Sequence, residues 1–155
     1  MNHGARINSS KDVIGFLKGQ HHQIKGMFEE VIAATGSTRE KIFHDLQALM
    51  SAHETAEEKV VHPTAKHILR GGPAEVAARL AEETEAKKTL AALDKLDVES
   101  PEFETKIREL QSAVLAHAKS EEKEEFDKLQ VTLAPAKLKD MRKDVEAVEA
   151  RATKS

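Results

Sequence analysis

The sequence contains no cysteine, tryptophan or tyrosine. Without cysteine there is no disulfide, no thiolate nucleophile and no iron–sulfur ligation. Without tyrosine there is no tyrosyl-radical chemistry. Aromatic residues amount to 3 %, all of them the five Phe. Neither charge sign dominates, the net being −3 with histidines neutral, and this argues against the basic stripe of a nucleic-acid binder. No apolar run approaches the roughly 20 residues that cross a bilayer. The opening stretch MNHGARINSSKD lacks the apolar centre of a signal peptide. These absences together lead to the expectation of a cytoplasmic protein that engages neither nucleic acid nor membrane.

What the sequence does have is charge and helical periodicity. Charged residues reach 33 %, above the roughly 25 % of typical soluble domains. The four prolines stand at apparent boundaries. A first helix over roughly Lys11 to Ala34 carries Ile14, Leu17, Ile24, Phe28 and Val31 at spacings of three and four. Ser37 and Glu40 are placed as a capping box for a second helix, which shows Ile42, Leu46, Leu49, Val60 and Val61. RGGP breaks the chain before a third helix bearing Val76, Leu80, Leu90 and Leu93. Ser100 and Pro101 suit the N-cap and first turn of a fourth, with Phe103, Ile107, Leu110, Val114, Phe126 and Leu129 on one face. Long amphipathic helices with short connections predict an all-α, up-down-up-down four-helix bundle. The expected organisation is a flexible N-terminus (1–10), the bundle (11–130) and a C-terminal amphipathic helix or tail (135–155). In that last segment Leu138, Met141, Val145 and Val148 repeat at heptad-like spacing.

Each apolar stripe has a polar gap. The gaps fall at His21, at His53 with Glu57, at Glu83, and at His117 with Glu121. Residues four apart share a helix face, so HETAEEKVVHP, from His53, and HAKSEEKEEFD, from His117, each aim a His and a Glu inward. Each half of the chain reads as one lone polar residue followed by a helix carrying His-x-x-x-Glu. Such a duplicated hairpin favours two metal ions over one. A single His-x-x-x-Glu pair is unremarkable in a chain this rich in Glu. Two pairs, both on apolar faces with His21 and Glu83, would leave buried ions uncompensated at several kcal/mol each. A mutual salt-bridge cluster is the other solution, but the pattern offers no inward-facing Lys or Arg for it.

These residues resemble the repeated His-x-x-x-Glu-Glu element of the hemerythrin-like (HHE cation-binding) domains. In that family a Pro often follows, as Pro63 does here; the second copy has Asp127 instead. DVIGFLKGQHHQIKGMFEEV looks like the family's first helix, in which the ligand histidine has an Ile three residues on; Ile24 selects His21. The resemblance spans roughly residues 10 to 130. It implies a four-helix bundle around two iron ions joined by an oxo or hydroxo bridge. Carried over by position, the ligands would be His21, His53, Glu57, His117 and Glu121, with the two Glu bridging. Helix 3 departs from the pattern, since an ungapped alignment puts Glu83 where the family has a His. Three imidazoles and three carboxylates make a harder, more anionic set than five histidines, and such donors stabilise the ferric state.

The resemblance therefore implies binding of O2, H2O2 or NO in sensing or in oxidative or nitrosative stress, rather than oxygen carriage. The alternatives are a di-iron enzyme with catalase-like, peroxidase-like or ferroxidase activity, and a zinc-bound or metal-free interaction module. The protein would act as a monomer or homodimer with an electron donor that remains to be identified. His22, Glu58, His62 and His67 are weaker candidates for the metal site: His62 or His67 would reach it if the second helix bends and Glu58 if its side chain rotates inward, but the surface is the expected place for each. Leu17, Leu49, Leu80, Leu90 and Val114 are expected to keep the centre dry. The ligand order, His first with Glu four residues on, disfavours ferritin-like proteins, which run Glu-x-x-His.

Overall fold

A computed structural model describes residues 11–152; the expected flexible N-terminus lies outside that range. Helix α1 spans Val13–Ala33, and Asp12 caps it by accepting from the Gly15 amide at 3.1 Å. Helix α2 spans Gly36–Ala56 and runs without a break through a π-helical turn, Glu57–Val61, into α3, His62–Ile68. Helix α4 covers Gly72–Asp94. Helix α5, Pro101–Glu121, continues through a second π turn, Glu122–Phe126, into α6, Asp127–Thr132. Helix α7, Pro135–Ala152, closes the fold. The described residues contain no strand, and the architecture is a helical bundle.

Local chemistry sets most of the boundaries. Ser100 accepts from the Phe103 amide at 3.2 Å, with Pro101 in the first turn behind it. Gly71 takes the left-handed conformation at φ 71° to start α4. Gly72 packs against the end of α3, where an added Cβ would strike the Ala65 carbonyl. The capping box expected at Ser37 does not form. Helix α2 begins two residues earlier than that cap requires, at Gly36, and its N-cap, Thr35, makes no side-chain bond. Instead the Gly36 amide donates to the Glu99 carboxylate at 2.8 Å.

The core is in two parts. One apolar cluster joins Val13, Ile14 and Leu17 of α1 to Val61, Phe126, Leu129 and the buried face of α7. The other joins Ile24, Phe28 and Val31 to Phe43, Leu46, Phe103 and Ile107. A layer of buried polar side chains lies between them in sequence along each helix. In α7, Leu138, Met141, Val145 and Val148 are all buried, so this helix packs on α1 and α2.

Two details of the apolar pattern differ from expectation. Leu80 is 37 % exposed, because the inward face of α4 runs through Val76, Arg79, Glu83 and Ala86 instead. Two arginines are also buried. Arg39 donates to the carbonyls of Val31, Ile32 and Val98 at 2.8–2.9 Å and so ties helix ends together. Arg79 pairs with Glu75 and Glu82. Neither arginine forms an ion pair with Glu57, Glu83 or Glu121, and among the described residues no other arginine does so either.

Candidate metal centre

The polar layer brings His21 of α1, His53 of α2, Glu57 of the first π turn, Glu83 of α4, and His117 and Glu121 of α5 to one place. Their donor atoms form two overlapping clusters. His21, His53, Glu57 and Glu121 make one, and Glu57, Glu83, His117 and Glu121 make the other. Within each, the donor atoms lie within 4.8 Å of one another. Glu57 and Glu121 belong to both, and both are 0 % exposed.

The imidazoles share one arrangement: each ties Nδ1 outward and turns Nε2 inward. The Nδ1 of His21 meets Glu122 at 2.7 Å, that of His53 meets the Gln20 amide oxygen at 2.7 Å, and that of His117 meets Glu82 at 2.7 Å. Fixing one ring nitrogen this way sets the tautomer and leaves the other as a donor for a cation. Inside the ring of donors the contacts are close but are not hydrogen bonds. His21 Nε2 stands 3.1 Å from Glu121 and His53 Nε2 stands 3.2 Å from Glu57. Even so, His21 Nε2, both oxygens of Glu57 and of Glu121, and Glu83 Oε1 have no hydrogen-bond partner. Buried polar atoms left this way cost about 1–3 kcal/mol each, and more when charged. Nitrogen and oxygen donors that converge without bonding one another fit a cation at their common focus.

A fourth imidazole belongs to this group. His62, expected at the surface, is 2 % exposed. Its Nδ1 meets Glu125 at 2.7 Å and its Nε2 meets Glu83 at 3.0 Å, with Glu121 at 3.7 Å. The π turn puts it there. The His62 amide bonds back to the Glu57 carbonyl, five residues earlier, so the turn takes up an extra residue and returns His62 toward the face of Glu57. Regular α-helical counting would swing it well to the side. Glu125 lies inside the second π turn at 0 % exposure; four residues beyond Glu121, it shares that residue's face on ordinary helical counting, so its signal was present in the sequence. The repetition of the π turn in both halves was a signal, since Phe126 stands as far beyond His117 as His62 stands beyond His53. Pro63 does not cause the turn, because the second copy has one with Asp127 in the corresponding place.

The other nearby residues stay outside. His22 and His67 are exposed, and Glu58 is half-buried with its carboxylate 3.1 Å from Lys87. The expected dry lining is partial: Leu17 is fully buried, whereas Leu49, Leu90 and Val114 are half-buried.

Protonation reports the same crowding. Burial pushes Glu57 and Glu83 up to about 7 and Glu54, beside His53 in sequence, up to about 8. Glu121 is raised by burial and by the Glu57 charge, and Glu125 by burial. Burial disfavours imidazolium, yet Glu121 and Glu122 outweigh it at His21 and raise that group to about 10. Glu125 and Glu83 do the same for His62, which reaches about 11. At His53 burial and the neighbouring His21 charge outweigh the nearby carboxylates and lower it to about 3. The cluster thus gathers protons, which a cation would displace.

Among solved structures, one from Mycobacterium kansasii, a hemerythrin HHE cation binding domain-containing protein, is similar with a TM-score of 0.82. It covers 93 % of this chain and 88 % of its own, at 20 % identity. Among curated proteins, a "DNA nickase" from Nostoc sp. is 23 % identical over 107 residues. That alignment takes in 68 % of this chain but only 30 % of the longer relative. Residues 12–129 match the Hemerythrin HHE cation binding domain. The match runs from the first helix to the last turn of α6 and encloses every donor described above, and on it the chain belongs to the hemerythrin HHE cation-binding family.

Proposed function

We propose that the centre holds two iron ions and serves as a site for O2, H2O2 or NO, in sensing or in handling oxidative or nitrosative stress. The observation that carries this reading is the sharing of Glu57 and Glu121 between two donor clusters, their four oxygens buried and without hydrogen bonds. His21 and His53 would complete one position. Glu83, His117 and His62 would complete the other. Iron held there would supply the one-electron steps that binding or reducing such ligands requires. The chain's own groups hold the imidazoles in one tautomer through Gln20, Glu82, Glu122 and Glu125, and the two apolar clusters limit water on either side. A mixed imidazole–carboxylate set suits iron or zinc in softness; the three carboxylates favour ferric iron, and with it peroxide turnover over oxygen carriage. The nickase activity named for the longer relative is not carried over, since the chain's charge balance gives it no support.

The test is metal analysis with an absorption spectrum on protein produced with iron in air. With no Trp or Tyr the protein band is weak, so near-ultraviolet iron absorption stands out. Two irons per chain and spectral changes on adding NO or peroxide are expected. A colourless protein holding zinc or no metal would overturn the proposal. Oxygen release from H2O2 faster than with free iron would identify the catalase-like enzyme.

A further inference from the structure

A diatomic ligand or peroxide needs about the space of a water molecule, whose share of liquid volume is roughly 30 Å³. The cleft between α4 and α5 is far larger, at about 570 Å³, well inside the 300–1,000 Å³ range of small-molecule sites. Its walls are short or apolar: Ala81 and Ala86 from α4 face Leu110, Ala113 and Val114 from α5. It ends on Glu83 and His117. Of the four inward imidazoles, His117 is the least buried, its side chain 13 % exposed.

Glu54 also faces this cleft. It is 7 % exposed, and no protein hydrogen bond or ion pair holds its carboxyl group among the described residues. Its oxygens are not sealed off but open on the cleft, where a donor group that enters can bond them. The charges around the cleft are all of one sign. Glu82, Glu85 and Glu109 stand at the rim, and among the described residues no lysine or arginine lines it. Arg79 and Lys88 pair with Glu82 and Glu85, but outside the lining.

We infer that the α4–α5 cleft binds a compact uncharged organic molecule, with an apolar body between the alanine walls and a hydroxyl-type end on Glu54 beside the centre. Its carboxylates turn organic anions away. The inference rests on the cavity and on Glu54 and deepens the reading of the centre as a ligand-binding site. It needs no particular metal.

The experiment titrates the protein, with whatever metal it carries, with phenol, benzoate and benzene, followed by ligand-observed NMR or calorimetry. Phenol should bind at least tenfold more tightly than benzoate, and more tightly than benzene. Ala113→Trp and Ala81→Phe, at exposed alanines on opposite walls, should each weaken phenol at least tenfold while metal content stays at the wild-type level. Absence of phenol binding, equal binding of benzoate, or full affinity in both blocked variants would overturn the inference. A zinc-loaded protein that still binds phenol would leave the cleft assigned and the iron reading refuted, so the two failures are distinguishable.

Discussion

Gln20 joins His53 to the C-terminal helix. Its amide oxygen accepts from His53 Nδ1 at 2.7 Å while its amide nitrogen donates to Glu149 at 2.6 Å. The second half of the bundle reaches the same end differently, since Glu82, also one residue before the α4 donor, bonds His117 directly. One imidazole is therefore oriented by a neutral amide whose own orientation is fixed by α7. Groups of this kind support metal affinity by about 10–100-fold. Gln20→Ala should weaken metal binding by about that factor. Glu149→Ala should weaken it less, and Glu149→Gln, which still accepts from Gln20, should restore most of the loss. Competition with a calibrated chelator measures all three; equal affinity across the series would show that α7 does not reach the centre.

His62 and Phe126 occupy equivalent places, and only one is a donor. Phe126 stacks on His21 with ring centroids 5.6 Å apart, whereas His62 bonds Glu83 and Glu125. Replacing His62 by Phe copies the other half's solution and keeps the volume close. The expected result is loss of metal from the position of Glu83 and His117, with the position of His21 and His53 retained. Metal stoichiometry should fall from two towards one. Unchanged stoichiometry and spectrum would make His62 a packing residue.

The sequence made the helices and the six inward polar side chains legible because they obey a regular period: His53 with Glu57 and His117 with Glu121 repeat at the spacing of one α-helical turn. His62 was not legible for the complementary reason. Its inward position depends on a π turn that changes the period for a few residues, and hydrophobic spacing carries no sign of that change. Leu80 failed similarly, as an apolar residue taken to mark the buried face of α4 when buried Arg79, paired with Glu75 and Glu82, marks it instead. Glu54 was overlooked because its burial comes from the packing of helices distant in sequence.

Deleting residues 135–155 should destabilise the bundle rather than trim an appendage. Leu138, Met141, Val145 and Val148 are buried against Val13, Ile14 and Leu17. Each such side chain contributes about 1.5–3 kcal/mol when fully buried, partly offset by the entropy of ordering the helix. A net loss of several kcal/mol is expected, seen as a lower urea midpoint. An unchanged midpoint would show that the bundle is complete without α7.

The metal-free protein should lose stability as pH rises from about 6.5 to 8. Glu54, Glu57 and Glu83 have folded-state pKa values raised to about 8, 7 and 7, so the folded chain holds protons that the unfolded chain releases. Their contribution is full below the unfolded carboxylate range and is lost as pH passes those values. His21 and His62, raised to about 10 and 11, act in the same direction above about pH 6.5. Within the centre His53, lowered to about 3, acts oppositely, and its window closes near pH 6.5. Bound cations displace these protons, so metal affinity should grow with pH over the same interval. Urea midpoints at pH 6.5 and 8, with and without metal, provide the measurement: the chelator-treated protein should weaken at the higher pH while the loaded protein holds or gains. A metal-free midpoint that rises with pH would mean that these carboxylates are not crowded together as described.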